Sequence, residues 1–295
     1  MNVIRPGRKR TAGRMPAVAL RCGAMALPSP APDRTCLVTG ASSGIGVEIA
    51  RLLARRGLGV TLVARREDRL RDLADELAAD HDVRAEVLPA DLTDADARTG
   101  IVTALDDLGL TADVLVNNAG FSTTGRIQDA DADREVEMVR LDVEAVAHLC
   151  ALFVPGMVDR GRGGVLNVAS TAAFQPLPGQ AGYGGSKAFV LSYTQALTQE
   201  LRGTDVAATV LCPGPVETEF AEAAGFDPDE AADSLPSVMW VEAGDVARAG
   251  VEGLDHGAGV VIPGLANRAT ATVAHLTPKR LLLPILARFH PAAHD

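Results

Sequence analysis

The stretch Thr35-Cys36-Leu37-Val38-Thr39-Gly40-Ala41-Ser42-Ser43-Gly44-Ile45-Gly46-Val47-Glu48-Ile49-Ala50 decides the fold. It opens on a short apolar and β-branched run, passes through a glycine-rich turn and continues with helical spacing. Glycines in such a turn have three physical uses: a tight reversal, room for a pyrophosphate against the backbone, and close packing of helix on strand. A helix that starts there presents free N–H groups and the positive end of its dipole to an anion. The spacing is G-x-x-x-G-x-G over Gly40, Gly44 and Gly46. Glycine-rich turns are common, so this one gains weight only from its place in the rest of the chain.

Working outward, the same alternation recurs. Besides Thr35–Thr39, short apolar runs at Val60–Val63, Val83–Leu88, Asp113–Val116, Val165–Val168, Val206–Leu211 and Gly259–Ile262 have strand character. Between them, Ile45–Arg56, Glu67–Ala79, Asp94–Asp107, Arg134–Arg160, Tyr183–Arg202 and Asp245–Leu254 have helical character. In the long Arg134–Arg160 segment, Val136, Val139, Val143, Val146, Cys150 and Phe153 recur at helical spacing. Strict alternation builds a parallel sheet with right-handed crossovers and helices on both faces. Strands covered on both sides are expected to be continuous apolar runs, as these are. The expected fold is α/β, a single doubly wound parallel-sheet (Rossmann) domain over 35–264. Residues 265–295 are expected to form a C-terminal helical extension.

Composition narrows the function classes. The 295 residues are 47% hydrophobic but 3% aromatic, so the core must be built from Ala, Val and Leu, which suits layered α/β packing. There are 28 basic and 38 acidic residues, a net charge of −10, which argues against nucleic acid as the main partner. Cys22, Cys36, Cys150 and Cys212 form no C-x-x-C pair, as expected of reduced, mostly buried thiols in a cytoplasmic protein. The six His residues show no ligand spacing, and no metal is expected. No apolar run approaches the roughly 18–20 residues that span a bilayer. Leu281–Ala287 is broken by Pro284 and is expected to pack rather than to anchor.

Residues 1–34 carry seven cationic side chains and one acid, Asp33. Three explanations stay open: a disordered extension, a start upstream of Met15 or Met25, or an Arg-rich targeting peptide, although Ser is scarce and Arg21 interrupts the apolar stretch. A disordered basic extension without a catalytic role is the expectation.

Five further motifs carry chemistry. The second strand ends Val63-Ala64-Arg65-Arg66, where an NAD site usually places an acid on the ribose 2′-hydroxyl. Ala64 removes that acid and Arg65 offers a fork for a 2′-phosphate, so NADP(H) is favoured over NAD(H); Arg66 is taken as a solvated charge. Asp91-Leu92 follows the third strand, where an adenine ring would lie, and Asn117-Asn118-Ala119-Gly120 follows the fourth, where a small amide-rich turn can pin strands together. Tyr183 and Lys187 stand at i and i+4 and share a helix face. A lysine cation beside a tyrosine would lower the phenol pKa from about 10 and fit it for proton exchange with an alcohol or ketone oxygen. Ser170 lies at the end of the fifth strand, on the carboxyl edge where such sheets bind ligands.

Together these residues resemble one family, the short-chain dehydrogenases/reductases, over about Thr35–Gly264. TGASSGIG, NNAG, the Ser170–Tyr183–Lys187 set and Pro213-Gly214-Pro215-Val216-Glu217-Thr218 stand in family order. The resemblance implies an NADPH-dependent carbonyl reductase or alcohol dehydrogenase acting on a small, largely apolar carbonyl or alcohol. In that role Tyr183 is the general acid/base, Ser170 orients the carbonyl, and Lys187 contacts the nicotinamide ribose and tunes Tyr183. It further implies cofactor contacts from Gly40, Ser42, Ser43, Gly44, Ile45, Gly46, Arg65, Asp91, Leu92, Asn118, Ala119 and Gly120, and from Pro213, Gly214, Val216 and Thr218.

One position departs from the family pattern. Asp142 stands where the family usually has an Asn that shapes a helix so that a backbone carbonyl holds a water next to the lysine. Asp has nearly the same shape and could keep that arrangement; as an added negative charge it could also raise the Lys187 pKa and alter the proton relay. Asp142 is the one feature favouring the alternative of a non-catalytic NADP(H)-binding sensor or scaffold; Ala64-Arg65 disfavours an NAD⁺-linked alcohol dehydrogenase. The resemblance also implies a mobile lid between Thr218 and Trp240, with Phe220, Phe226, Met239 and Trp240 as an apolar wall. It implies a homodimer or homotetramer built on the two long helices. The tail resembles the DltE-like and long-chain 3-oxoacyl reductase branch.

Overall fold

The computed structural model describes residues 27–220 and 236–289. Cys22, Phe226 and most of the expected lid lie outside the described residues. Strands and helices alternate: β1 (Arg34–Thr39), α1 (Gly44–Arg55), β2 (Val60–Ala64), α2 (Glu67–His81), β3 (Ala85–Pro89), α3 (Ala95–Asp107) and β4 (Thr111–Asn117). They continue with α4 (Ala132–Val139), α5 (Ala145–Asp159), β5 (Gly163–Val168), α6 (Ala181–Glu200), β6 (Val206–Leu211), α7 (Ala243–Asp255), β7 (Val260–Val261), α8 (Leu265–Leu276) and α9 (Lys279–Phe289). The strands form one sheet in the order β3-β2-β1-β4-β5-β6-β7, and every pairing is parallel. This is the doubly wound arrangement that the alternation predicts.

Side chains along each strand point alternately to two helical layers. Val38 and Leu166 face a cluster with Ile49, Leu53, Leu70, Leu77 and Val251 from α1, α2 and α7. Leu37 and Val165 face the other, with Ile101, Leu149, Phe153, Val190 and Leu197 from α3, α5 and α6. Helix starts follow local chemistry: Asp94 accepts from the Asp96 N–H, and Asp131 accepts from the Asp133 and Arg134 N–H groups.

Four expectations need correction. The helix expected over 134–160 is interrupted by a π turn at Arg140–Glu144, whose wider i→i+5 bonding inserts a residue between α4 and α5. The same continuous stretch, Ala132–Asp159, is long and apolar enough by length and composition to cross a membrane. Its Leu149, Cys150, Phe153 and Met157 are nonetheless buried in the core. The boundary expected at 34/35 falls inside β1; Leu27 is already buried in the core, and its N–H reaches Asp255 Oδ1. The Leu281–Ala287 run does not simply pack, because Leu281 is exposed and Leu286 lines the central cleft.

Leu166 is fully buried in β5. Leu166→Ala is expected to lower unfolding free energy by about 2–5 kcal/mol, measured by urea denaturation; a loss below about 1 kcal/mol would mean that the strand collapses around the gap.

Candidate active site

The sheet's carboxyl edge opens between β1 and β4, where the strand order reverses and doubly wound folds take ligands. Two turns meet there. Thr39 Oγ1 donates to Val116 O at 3.0 Å and accepts from the N–H groups of Asn118 and Ala119 at 3.0 and 3.1 Å. Asn118 Nδ2 donates back to Thr39 O and Gly40 O at 3.1 and 3.2 Å. Gly40 has φ +65°, and a Cβ on it would fall 2.8 Å from Ala119 Cα. A Cβ on Gly46 would fall 2.3 Å from Gly40 O, so α1 starts in contact with the end of β1. Gly46 thus supports the turn from behind, while Gly40, Ser42, Ser43, Gly44 and Ile45 face the cleft.

Ser43 precedes α1 without a side-chain capping bond, and the first turn holds no acid. The leading N–H groups of α1 therefore lack the partners that usually satisfy them, an arrangement that suits a phosphate. This end of the cleft fits a dinucleotide.

β2 ends at Ala64, as expected, and Arg65 lines the cleft, but Arg66 differs from the expectation. Arg65 has a side chain 63% exposed, with Nη1 3.6 Å from Glu137 Oε1. Arg66, taken from the sequence as a solvated charge, folds back onto the glycine turn. Its Nε and Nη2 donate to Ser42 Oγ at 3.2 and 3.0 Å, and Nη2 also reaches Ser43 Oγ at 2.9 Å. Glu219 then bridges Arg66 Nη1 and Arg69 Nη1 at 2.8 and 2.6 Å. The reason is positional: Arg66 immediately precedes α2, so its side chain can turn back across the mouth of the turn.

Asp91 and Leu92 line the same end. Asp91 Oδ1 accepts from the Thr93 N–H and hydroxyl. Leu92 O accepts from Arg98 Nη1 at 2.6 Å. Arg98 is buried, donates to His148 Nδ1 and pairs with Glu144; no local pattern marks this arginine, which occupies an ordinary position in an amphipathic helix.

At the other end of the cleft α6 begins, and Tyr183 and Lys187 lie one turn apart, both buried. Ser170 Oγ accepts from the Ala172 N–H at 3.1 Å, and Ser170 lines the same cleft as Tyr183 and Lys187. Lys187 Nζ donates to Val168 O at 3.3 Å and lies 2.9 Å from Asp142 Oδ2. Asp142 stands on the π turn, fully buried, and its Oδ1 accepts from the Phe121 N–H at 3.1 Å. Where the family resemblance implies a water beside the lysine, a carboxylate contacts the ammonium directly.

Burial pushes the Tyr183 phenol above its ordinary value; Lys187 and the nearby Ser170 hydroxyl pull the other way, while Asp142 and Cys212 add to the rise. The expected lowering by Lys187 is therefore outweighed. Burial works against the Lys187 charge, but Asp142 and Tyr183 more than offset it, so its pKa rises.

One continuous cavity of about 750 Å³ joins the two ends. Ala119, Gly120, Pro213, Gly214, Val216 and Thr218 line its middle. Beyond Tyr183 its walls include Phe220, Met239 and Trp240, which the sequence placed there, and Phe121, Leu141, Leu177 and Leu286, which it did not. Phe121 had a usable signal, since it directly follows Gly120 in the turn after β4. Asn267 had none: fully buried in α8, it donates to Met239 O and Pro263 O and abuts Gly214.

The family model for short chain dehydrogenases matches residues 34–228. Sulfoacetaldehyde reductase 2 of Chromohalobacter salexigens is 36% identical over 186 residues, 62% of this chain and 73% of the relative. A short-chain dehydrogenase from Sphingobium yanoikuyae, solved in complex with NADPH, superposes with a TM-score of 0.72 at 32% identity, covering 89% of this chain and 98% of that one. The bulky-bulky ketone specific alcohol dehydrogenase from Comamonas testosteroni does so with a TM-score of 0.68 at 28% identity, covering 88% and 96%.

Gly46→Ala is expected to leave the far-ultraviolet circular dichroism unchanged and to weaken dinucleotide binding by at least about tenfold. The chain's single Trp, Trp240, lines the cavity, so quenching of its emission on titration reports binding. Unaltered affinity would show that α1 does not hold the phosphates.

Proposed function

The chain belongs to the short-chain dehydrogenase/reductase family, and from that premise we propose that it is an NADP(H)-dependent carbonyl reductase and alcohol dehydrogenase acting on a ketone or secondary alcohol. The observation that carries this reading is the convergence of Ser170, Tyr183 and Lys187 at the deep end of a cleft whose other end suits a dinucleotide. The N-terminus of α1 with Ser42 and Ser43 would hold the pyrophosphate, and Asp91 and Leu92 would flank the adenine. Lys187 would hold the nicotinamide ribose. When bound, NADPH supplies the hydride to the carbonyl carbon.

The chain's own residues do the rest. The Ser170 hydroxyl donates to the substrate oxygen and holds the carbonyl toward the cofactor. Tyr183 gives its phenolic proton to that oxygen as negative charge develops on it. In oxidation the phenolate takes the proton back. Lys187 holds positive charge beside the ring. Phe220, whose ring centroid lies 5.8 Å from that of Tyr183, joins Leu177, Met239 and Trp240 in covering the reacting end with apolar surface. This supports a bulky, largely apolar ketone as the substrate class, in keeping with the relative from Comamonas testosteroni.

NADP(H) preference is supported by the absence of an acid at Ala64 and by the guanidinium of Arg66 on Ser42, with Arg65 beside it. The same reading includes a homodimer or homotetramer built on the α4–α5 stretch and α6, where Val136, Val139 and Phe189 are exposed.

Tyr183→Phe is expected to abolish NADPH consumption with a panel of apolar ketones while leaving NADPH affinity within about threefold; retained turnover would remove Tyr183 as the acid. Arg66→Ala is expected to weaken NADPH by at least about tenfold with little effect on NADH, and Arg65→Asp to move preference toward NADH. Equal losses for both cofactors in Arg66→Ala would mean that the arginine only braces the turn.

A further inference from the structure

We propose that Asp142 is a positioning residue that keeps Tyr183 in its proton-donating form, by pairing directly with Lys187 and cancelling much of the cationic field that would otherwise ionise the phenol. The inference rests on the reading of Tyr183 as the acid/base group and deepens it.

The geometry is specific. Asp142 Oδ2 lies 2.9 Å from Lys187 Nζ, with both side chains buried. The contact is a close ion pair, and among the described residues Asp142 Oδ2 has no other partner. Two features hold the carboxylate there. The Phe121 N–H donates to Oδ1, and the π turn carries Asp142 under the turn after β4. A Cβ at Gly120 would meet Asp142 Oδ1 at 2.8 Å and Lys187 Nζ at 3.2 Å, so the pair fits closely under that glycine.

Among the described residues, four groups act on the Tyr183 phenol and one ring lies beside it. Lys187 lies on its own helix, Asp142 on the π turn and the Cys212 thiol just after β6, while Ser170 contributes a neutral hydroxyl and Phe220 a neutral ring. Burial pushes the Cys212 thiol up to about 12, so it carries no charge near neutral pH. Among the described residues, the charges acting on the phenol near neutral pH are therefore one ammonium and one carboxylate. In water-poor surroundings such charges act strongly over several ångströms. A neutral side chain at 142 would leave the Tyr183 phenolate as the buried counter-charge of Lys187, and a nearby cation typically lowers an acid's pKa by about 1–3 units.

The sign is set by the chemistry. Reduction uses the protonated phenol, so it persists below the Tyr183 pKa and is lost above it. Oxidation uses the phenolate, so it appears only above that pKa. Both limbs report one ionisation and must move together. With Asp142 in place they lie at higher pH than a neutral residue would set.

The test is a phenolate absorbance titration of the cofactor-free protein. The chain has two tyrosines, and burial pushes Tyr193 up to about 12, so the difference from Tyr183→Phe isolates Tyr183. The wild-type midpoint is expected above the ordinary phenol value of about 10. In Asp142→Asn it should fall by about one pH unit or more. The alkaline limb of ketone reduction and the acidic limb of alcohol oxidation should fall by the same interval. A purely structural role would lower turnover at every pH and leave the titration in place. Should Asp142→Asn fail to fold by circular dichroism, Asp142→Ser and the wild-type midpoint carry the test. An unmoved midpoint in the neutral variants, or a wild-type midpoint below about 10, overturns the proposal. The absorbance titration needs no turnover, so it separates this inference from the reductase reading: reduction with unmoved midpoints sinks the role of Asp142 alone.

Discussion

Thr39 Oγ1 and Asn118 Nδ2 tie the turn after β1 to the turn after β4, and everything that happens in the cleft depends on that tie. A parallel sheet leaves its strand ends ragged at the carboxyl edge. Here a threonine hydroxyl accepts two N–H groups and an amide donates to two carbonyls, so backbone groups that would otherwise face the cleft unpaired are satisfied. The glycines can then sit with no side chain between α1, β1 and the neighbouring turn. Gly40 and Gly46 are small because the space is already taken by Ala119, Asn118 and each other.

From that frame the two ends of the cleft acquire opposite electrostatic characters. At the dinucleotide end an uncapped helix start lies beside Arg65, Arg66 and Arg69, in a protein whose net charge is −10. Such a local cationic field in an acidic protein draws an anion to one place. Glu219 lies within that field and bridges two of the arginines. At the reacting end the charges are buried and balanced. Lys187 and Asp142 form a neutral pair, which tolerates burial better than either charge alone.

The substrate end is assembled from distant pieces of chain. Asn267 on α8 binds Met239 O and Pro263 O, which fixes the segment bearing Met239 and Trp240 against the turn around Gly214. Lys279, at the start of α9, donates to Phe174 O and thereby joins the C-terminal helices to the segment after Ser170. Leu286 reaches the cavity from the same helix. The pocket is therefore finished by residues that come after the last strand.

Strand–helix alternation, the glycine turn, the Ala64-Arg65-Arg66 step and the Tyr183–Lys187 spacing were legible without coordinates, because each depends on local periodicity or on residues a few positions apart. The amino-acid sequence by itself determined a parallel doubly wound sheet and brought the glycine turn, Ser170, Tyr183 and Lys187 to its carboxyl edge. It also marked Asp142 as the odd residue and Lys187 as the group it would act on. Only the tertiary structure decided that Arg66 rather than Arg65 lies on Ser42, that a π turn breaks the long helix, and that Asp142 meets Lys187 directly. It also decided that burial outweighs the lysine at Tyr183. These outcomes depend on distances between residues tens of positions apart and on how completely water is excluded, and no local pattern encodes either.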